Sequence, residues 1–179
     1  ATTEDFTEDA LSAVEYLKTR NEINHSNIGM IGHSEGGMIA PMAAVRSDDV
    51  AFIVLMAGPG IPGDSILYLQ GELIKRASGE SEDEIHKSTR VQRKIFGMIK
   101  EISDDDDELK SKVEEVFREE YALLSQEEKS KIGDPEVYLK MQLKTLTNPW
   151  FKYFVRYDPV PVLEKVKCPV LAINGEKDL

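Results

Sequence analysis

The sequence predicts an α/β protein in which a small parallel sheet is interrupted by a long helical insertion, and three observations predict it. Residues 28–33 and 51–57 are apolar runs of strand length, joined by a small, apolar, helix-forming stretch over residues 36–46. Gly58-Pro59-Gly60-Ile61-Pro62-Gly63 then breaks all regular structure, and from Asp64 to about Asn148 the chain is charged and helix-forming with no strand in it. Residues 169–174, Pro-Val-Leu-Ala-Ile-Asn, return to strand character. The expected organisation is a core over 1–63, a helical cap insertion over 64–148, and a return to the core over 149–179.

In chain order, the first element is an amphipathic helix over residues 3–20. Phe6, Ala10, Ala13, Val14 and Leu17 recur at steps of three and four, with acids early and Lys18 and Arg20 late, matching the helix dipole. A polar connection over 21–27 leads into the first strand. The run 51–57 reads as a parallel strand buried on both faces, and its link to the first strand as a right-handed β-α-β unit. In the insertion, Ile66, Leu69, Leu73 and Ile74 predict one helical face, and Ile85, Val91, Ile95, Ile99 and Ile102 a second. Leu109, Val113, Val116, Phe117, Tyr121 and Leu124 predict a third, before a final helix over 135–146. Residues 150–157 are aromatic-rich, and 160–166 suggest a short helix before the third strand. The four aspartates at 104–107 lack the alternating ligands and glycine of a calcium loop, and read instead as acids opening a helix near Glu108.

The chemistry-bearing stretch is Ile28-Gly-Met-Ile-Gly-His-Ser-Glu-Gly-Gly-Met38. Gly32-His33-Ser34-Glu35-Gly36 is G-x-S-x-G between a strand and a helix, the pattern of a nucleophile elbow. A turn this tight strains the backbone at Ser34 and points its hydroxyl out of the sheet. Side chains two positions either side would collide, so Gly32 and Gly36 are expected to be there to remove them. The helix after the turn aims its N-terminal dipole at the serine, where negative charge would be stabilised. The alternative, an anion-binding glycine turn, is disfavoured because neither G-x-G-x-x-G nor G-x-x-x-x-G-K-[ST] occurs.

Charge and cysteine content exclude other classes. Against 22 basic residues stand 33 acidic ones, a formal net charge of −11, which opposes nucleic acid and anionic membrane surfaces. Cys168 is the single cysteine, so no intrachain disulfide forms, and no Cys/His cluster has the spacing of a zinc site. Cys168 reads as a small buried apolar residue rather than a reactive thiol. No signal peptide or membrane-length apolar run is visible, and the compartment is left open between cytoplasm and periplasm.

Residues Gly32 to Gly37 with Met38-Ile39-Ala40-Pro41 resemble the serine hydrolases of the α/β-hydrolase superfamily, esterase-like and S33 peptidase-like members in particular. Cys168-Pro-Val-Leu-Ala-Ile-Asn-Gly-Glu-Lys-Asp178 resembles the strand and G-x-x-D loop that carry the family's catalytic acid. The resemblance implies a partial α/β-hydrolase parallel sheet of about three strands with an inserted helical cap. It implies Ser34 as nucleophile, the backbone amide of Glu35 as one oxyanion donor, and Asp178 as the acid, with Asp64 as runner-up. It implies no metal and no organic cofactor, and a small ester or short peptide as substrate.

The family's domain normally begins several strands before the elbow and continues to a catalytic histidine, so the chain is expected to be an internal piece. His25 reads as a solvated turn residue, His33 as pointing away from the serine hydroxyl by strand alternation, and His86 as an exposed residue of the insertion. None of the three is assigned to a triad, and the chain alone is expected to be inactive or nearly so. Open sheet edges would also invite self-association. The reading is therefore a carboxylic-ester hydrolase in the longer protein. The alternatives are a serine aminopeptidase of the proline-iminopeptidase type and, for this piece alone, a non-catalytic module.

Overall fold

The computed structural model describes residues 1–102 and 105–178, so Asp104, the first of the four aspartates, lies outside the described residues. The chain forms two compact units, Ala1–Ile66 with Tyr157–Leu179, and Leu67–Arg156. In order the elements are α1 (Thr3–Lys18), β1 (Gly29–His33), α2 (Gly36–Arg46), β2 (Phe52–Met56), α3 (Gly63–Ala77), α4 (Glu82–Glu101), α5 (Asp106–Leu123), α6 (Gln126–Ile132), α7 (Pro135–Leu146), α8 (Pro149–Arg156), α9 (Val160–Leu163) and β3 (Val170–Ile173). This is a partial α/β-hydrolase-like fold: a three-stranded parallel sheet with a helical insertion between its second and third strands.

In the first unit the strand order is β1-β2-β3, with Ile31 opposite Val54 and Val54 opposite Leu171. Side chains alternate across a strand, so this register sorts the sheet into two faces. One carries Met30, Ile53 and Leu55, which meet Val14 and Leu17 of α1 and Ala40 and Ala44 of α2. The other carries Ile31, Phe52, Met56, Leu171 and Ile173, all exposed, Ile31 at 71% and Leu171 at 55%. The expectation that β2 is buried on both faces is thus corrected. The helices that pack on the sheet cover the face of Ile53 over β1 and β2, while Val170 of β3 on that same face stays exposed, and the face of Ile31 and Leu171 is left open.

The face of α1 also differs from the expected stripe. Its buried residues are Thr3, Thr7 and Val14, whereas Phe6 is exposed. The threonines satisfy their hydroxyls inward: Thr7 Oγ1 donates to the Thr3 carbonyl at 2.9 Å and approaches Met42 Sδ at 3.7 Å. Arg46, at the end of α2, bridges Glu4 at 2.6 Å and Glu8 at 2.8 Å, tying α1 to α2. Close approach of α2 to the β2–α3 loop is permitted by two glycines, because a Cβ on Gly37 would lie 2.4 Å from the Gly58 Cα.

The second unit is helical. Tyr68, Phe96, Ile99, Ile102, Leu109, Val113, Leu146 and Val155 form its buried cluster. The expected face of α3 is only partly correct, since Leu69 and Ile74 are exposed and Tyr68 points inward, stacked on Phe96 at 5.3 Å between ring centroids. Arg156 closes the end of α4 by donating to the carbonyls of Ile99 (2.8 Å) and Ile102 (2.7 Å). The acids before Glu108 do open a helix, with Asp105 as N-cap accepting from the amides of Asp107 and Glu108.

Capping boxes start α1, α4 and α6, at Thr2/Asp5, Ser81/Glu84 and Ser125/Glu128. The hydroxyl and amide of Ser81 hold the Glu84 carboxyl below its usual range, and those of Ser125 do the same for Glu128. A carboxylate with a depressed folded pKa contributes stability that is fully present above the unfolded value, near 4.5, and lost as pH falls through the folded one. The variant E84Q/E128Q is therefore expected to melt below the parent at pH 7, with the gap narrowing as the pH falls below about 4.5. A gap independent of pH would show that the boxes contribute nothing through charge.

Candidate active site

The carboxyl ends of all three strands lie side by side. Ser34, directly after β1, donates its amide to the Met56 carbonyl at 2.9 Å, and Ala57, directly after β2, donates to the Ile173 carbonyl at 2.8 Å. Both residues have left-handed backbones, φ 53° at Ser34 and φ 50° at Ala57. For residues with a Cβ this costs about 1–2 kcal/mol each, and such strain persists only where the surroundings impose it. Ser34 is exposed, and among the described residues its hydroxyl has no protein partner. The strain at Ala57 has no signal in the sequence.

The turn after β1 is held by two short backbone bonds, from the Gly37 amide to the Ser34 carbonyl and from the Met38 amide to the Glu35 carbonyl, both 2.8 Å. A Cβ on Gly32 would sit 1.9 Å from the Gly36 oxygen, so glycine is required there. A Cβ on Gly36 would meet nothing within 4 Å. The sequence-based expectation for Gly36 is corrected accordingly: its carbonyl, not its missing side chain, is what crowds Gly32. Glu35 occupies the N-cap position of α2 with helical dihedrals, φ −55° and ψ −33°, and makes no side-chain cap bond. Its carboxylate instead accepts from the fully buried Thr3 Oγ1 at 2.7 Å, a contact 32 residues apart that sequence reasoning missed.

Asp178 lies after β3, in a turn closed by its amide on the Gly175 carbonyl at 3.3 Å, and is exposed. Ser34 and Asp178 thus follow the same end of the sheet, with β2 between their strands. This is the end at which open parallel sheets bind ligands. Asp64 sits in the first turn of α3, 8% exposed, and accepts from Ser65 Oγ at 3.3 Å. His25 precedes β1 at the opposite end, its Nε2 3.1 Å from the Arg20 carbonyl. His33 ends β1 and is exposed, and His86 is exposed on α4. Cys168 is a half-buried thiol packed against the sheet core. Burial pushes the Tyr157 phenol up to about 12, so it stays neutral at any ordinary pH. Among the described residues, no group of three His, Cys, Asp or Glu side chains is arranged to hold a metal ion. No described helix is long and apolar enough to cross a membrane.

Residues 8–148, more than three quarters of the chain, match the family model described as BAAT / acyl-CoA thioester hydrolase C terminal. The chain belongs to that family. Membership of the BAAT / acyl-CoA thioester hydrolase C-terminal family makes it a hydrolase-family domain and accords with the α/β-hydrolase-like sheet and insertion. The family match contains Ser34, Glu35 and Asp64, whereas Asp178 lies beyond its last residue. No curated protein matches the chain.

Proposed function

We propose that this family member is a serine hydrolase that cleaves carboxylic esters, including thioesters, through an acyl-enzyme on Ser34. One observation carries the reading: an exposed serine held at φ 53° between the end of a parallel strand and the N-terminus of α2. A hydroxyl presented this way is aimed out of the sheet, and the helix N-terminus behind it favours negative charge. In the proposed cycle Ser34 Oγ attacks the acyl carbon as a histidine takes its proton. The amide of Glu35 donates to the oxyanion, the intermediate collapses, and the alcohol or thiol leaves with that proton. Water then attacks the acyl-enzyme by the reverse proton path. Asp178 orients the histidine, and Asp64 is the alternative acid.

The base is assigned to a histidine outside this sequence, and the chain to the interior of a longer domain. What supports this is the position of His25 at the other end of the sheet and the five large apolar residues exposed on one sheet face, which the crossover helices of a complete parallel sheet would cover. The insertion over 64–148 is assigned as the cap of that domain. A thiol leaving group is favoured by the family's description.

The test is hydrolysis of p-nitrophenyl acetate and butyrate, a short acyl thioester and an aminoacyl p-nitroanilide, by the longer protein and by this 179-residue chain. Ester and thioester turnover by the longer protein alone is expected. Turnover confined to the anilide would establish the serine aminopeptidase reading instead. Turnover by the 179-residue chain that disappears in Ser34→Ala would place the base within it and overturn the assignment of the histidine.

A further inference from the structure

Glu35 brings a negative charge to a place where the proposed reaction develops another. It follows Ser34, stands at the N-cap position of α2 and is half-buried. Its amide is assigned to the oxyanion, so a carboxylate on the same residue competes with the reacting oxygen for the positive end of α2. An oxygen-bearing side chain at an N-cap ordinarily bends back onto the amides of its own helix. The Glu35 carboxylate does not: it makes no cap bond to α2, and accepts instead from Thr3 Oγ1 at 2.7 Å, in the first turn of α1. The charge is thereby held at the positive end of a different helix.

Thr3 is fully buried, a position that tolerates a hydroxyl only with a partner. Two further sets of contacts fix the helix that carries it. Thr7 Oγ1 donates to the Thr3 carbonyl at 2.9 Å and approaches Met42 Sδ of α2 at 3.7 Å, and Arg46 at the end of α2 bridges Glu4 and Glu8 of α1. A hydroxyl on so constrained a backbone has little freedom, and the carboxylate it holds is fixed with it. A hydrogen bond to an ionised acceptor is also of the stronger kind. Thr3, Ser34, Glu35 and α2 all belong to the sheet unit.

We propose that Thr3 is a positioning residue of this site: its hydroxyl draws the Glu35 carboxylate to α1, so that the N-terminus of α2 and the Glu35 amide serve the oxyanion unopposed. Thr3 lies outside the family match, which begins at residue 8. The assignment rests on the reading of Ser34 as nucleophile.

The test compares Thr3→Val, Thr3→Ser and Thr3→Val/Glu35→Gln with the parent and with Ser34→Ala in the proposed longer protein, using p-nitrophenyl butyrate. Thr3→Val removes the hydroxyl at nearly constant volume and should lower kcat about tenfold with KM within about twofold, because the effect is confined to the transition state. Removing an oxyanion donor outright costs about 10²- to 10³-fold, and the loss here is smaller because the amide remains. Thr3→Ser keeps the donor and should recover all but about twofold of the activity. Adding Glu35→Gln to Thr3→Val takes away the misplaced charge and should raise kcat about fivefold over Thr3→Val alone, a coupling that lost packing would not give. The inhibition constant of butaneboronic acid, which forms an anionic tetrahedral adduct on a nucleophilic serine, should rise in step with the fall in kcat/KM. Melting establishes that each variant is folded. If Thr3→Val is not, Glu35→Asp decides: a carboxylate one methylene shorter stays beside Ser34 without reaching Thr3, and should lower kcat about tenfold. Full activity in folded Thr3→Val or in Glu35→Asp, a loss that Thr3→Ser shares, or no gain from Glu35→Gln would overturn the role of Thr3, and with Ser34→Ala inactive would leave the nucleophile standing. Activity retained in Ser34→Ala would overturn both.

Discussion

Ser34→Ala in the proposed longer protein is expected to lower kcat for an acyl thioester by about 10⁵- to 10⁶-fold while leaving KM within a factor of a few, the pattern of a nucleophile that acts in the transition state. The fold should be indifferent to the change. The Ser34 hydroxyl has no protein partner among the described residues, and alanine meets the same φ of 53° that serine does. Stability within about 0.5 kcal/mol of the parent is therefore expected, as for an exposed substitution that removes no contact. Steady-state kinetics and urea unfolding on the same preparations separate the two effects. A loss of activity below tenfold would remove Ser34 from the chemistry, and with it the assignment of the Glu35 amide as oxyanion donor. A large loss accompanied by unfolding would return the residue to a structural role.

Gly32→Ala is expected to have the largest effect on stability. Its new Cβ would lie 1.9 Å from the Gly36 oxygen and 2.2 Å from the Gly36 carbon, both of them backbone atoms inside the first turn of α2. No rotamer relieves such a clash. The turn has to open, at the expense of the bonds from the Gly37 and Met38 amides, and a cost above about 4 kcal/mol is expected, the range reached by overpacking and backbone misfits. Gly36→Ala is the control, because a Cβ there meets nothing within 4 Å, and alanine within a helix is favoured over glycine by up to about 1 kcal/mol. Denaturant midpoints should therefore move in opposite directions for two glycines that the sequence motif treats alike. Equal shifts would mean that the Gly36 carbonyl does not press on Gly32 and that other contacts hold the turn.

Much of this is legible in the sequence. Strand-length apolar runs, a glycine-proline break and a long charged interval specify three parallel strands around a helical insertion, because burial periodicity and turn chemistry are local properties. The turn at Ser34 is legible for the same reason: the strand, the serine, the glycines and the helix are contiguous, and the left-handed backbone at the serine arises from their spacing. Family membership rests on that same contiguous stretch together with the helical insertion, over residues 8–148.

What the sequence could not say concerns partners distant in the chain. Phe6 fits the apolar stripe of α1 better than Thr3 or Thr7, yet the threonines are the buried ones, since a hydroxyl that finds the Thr3 carbonyl or the Glu35 carboxylate loses little by leaving water. Periodicity does not record such pairings. It likewise predicted burial on both faces of β2, because apolar content tells how much surface seeks cover and not whether the chain supplies it. The close approach of Gly37 to Gly58 and the strain at Ala57 are set by which backbones approach one another across about twenty residues or more. The sequence by itself determined the elements and the chemistry-bearing turn; only tertiary packing decided which faces are covered and where two backbones meet closely enough to need glycine, as at Gly37 and Gly58.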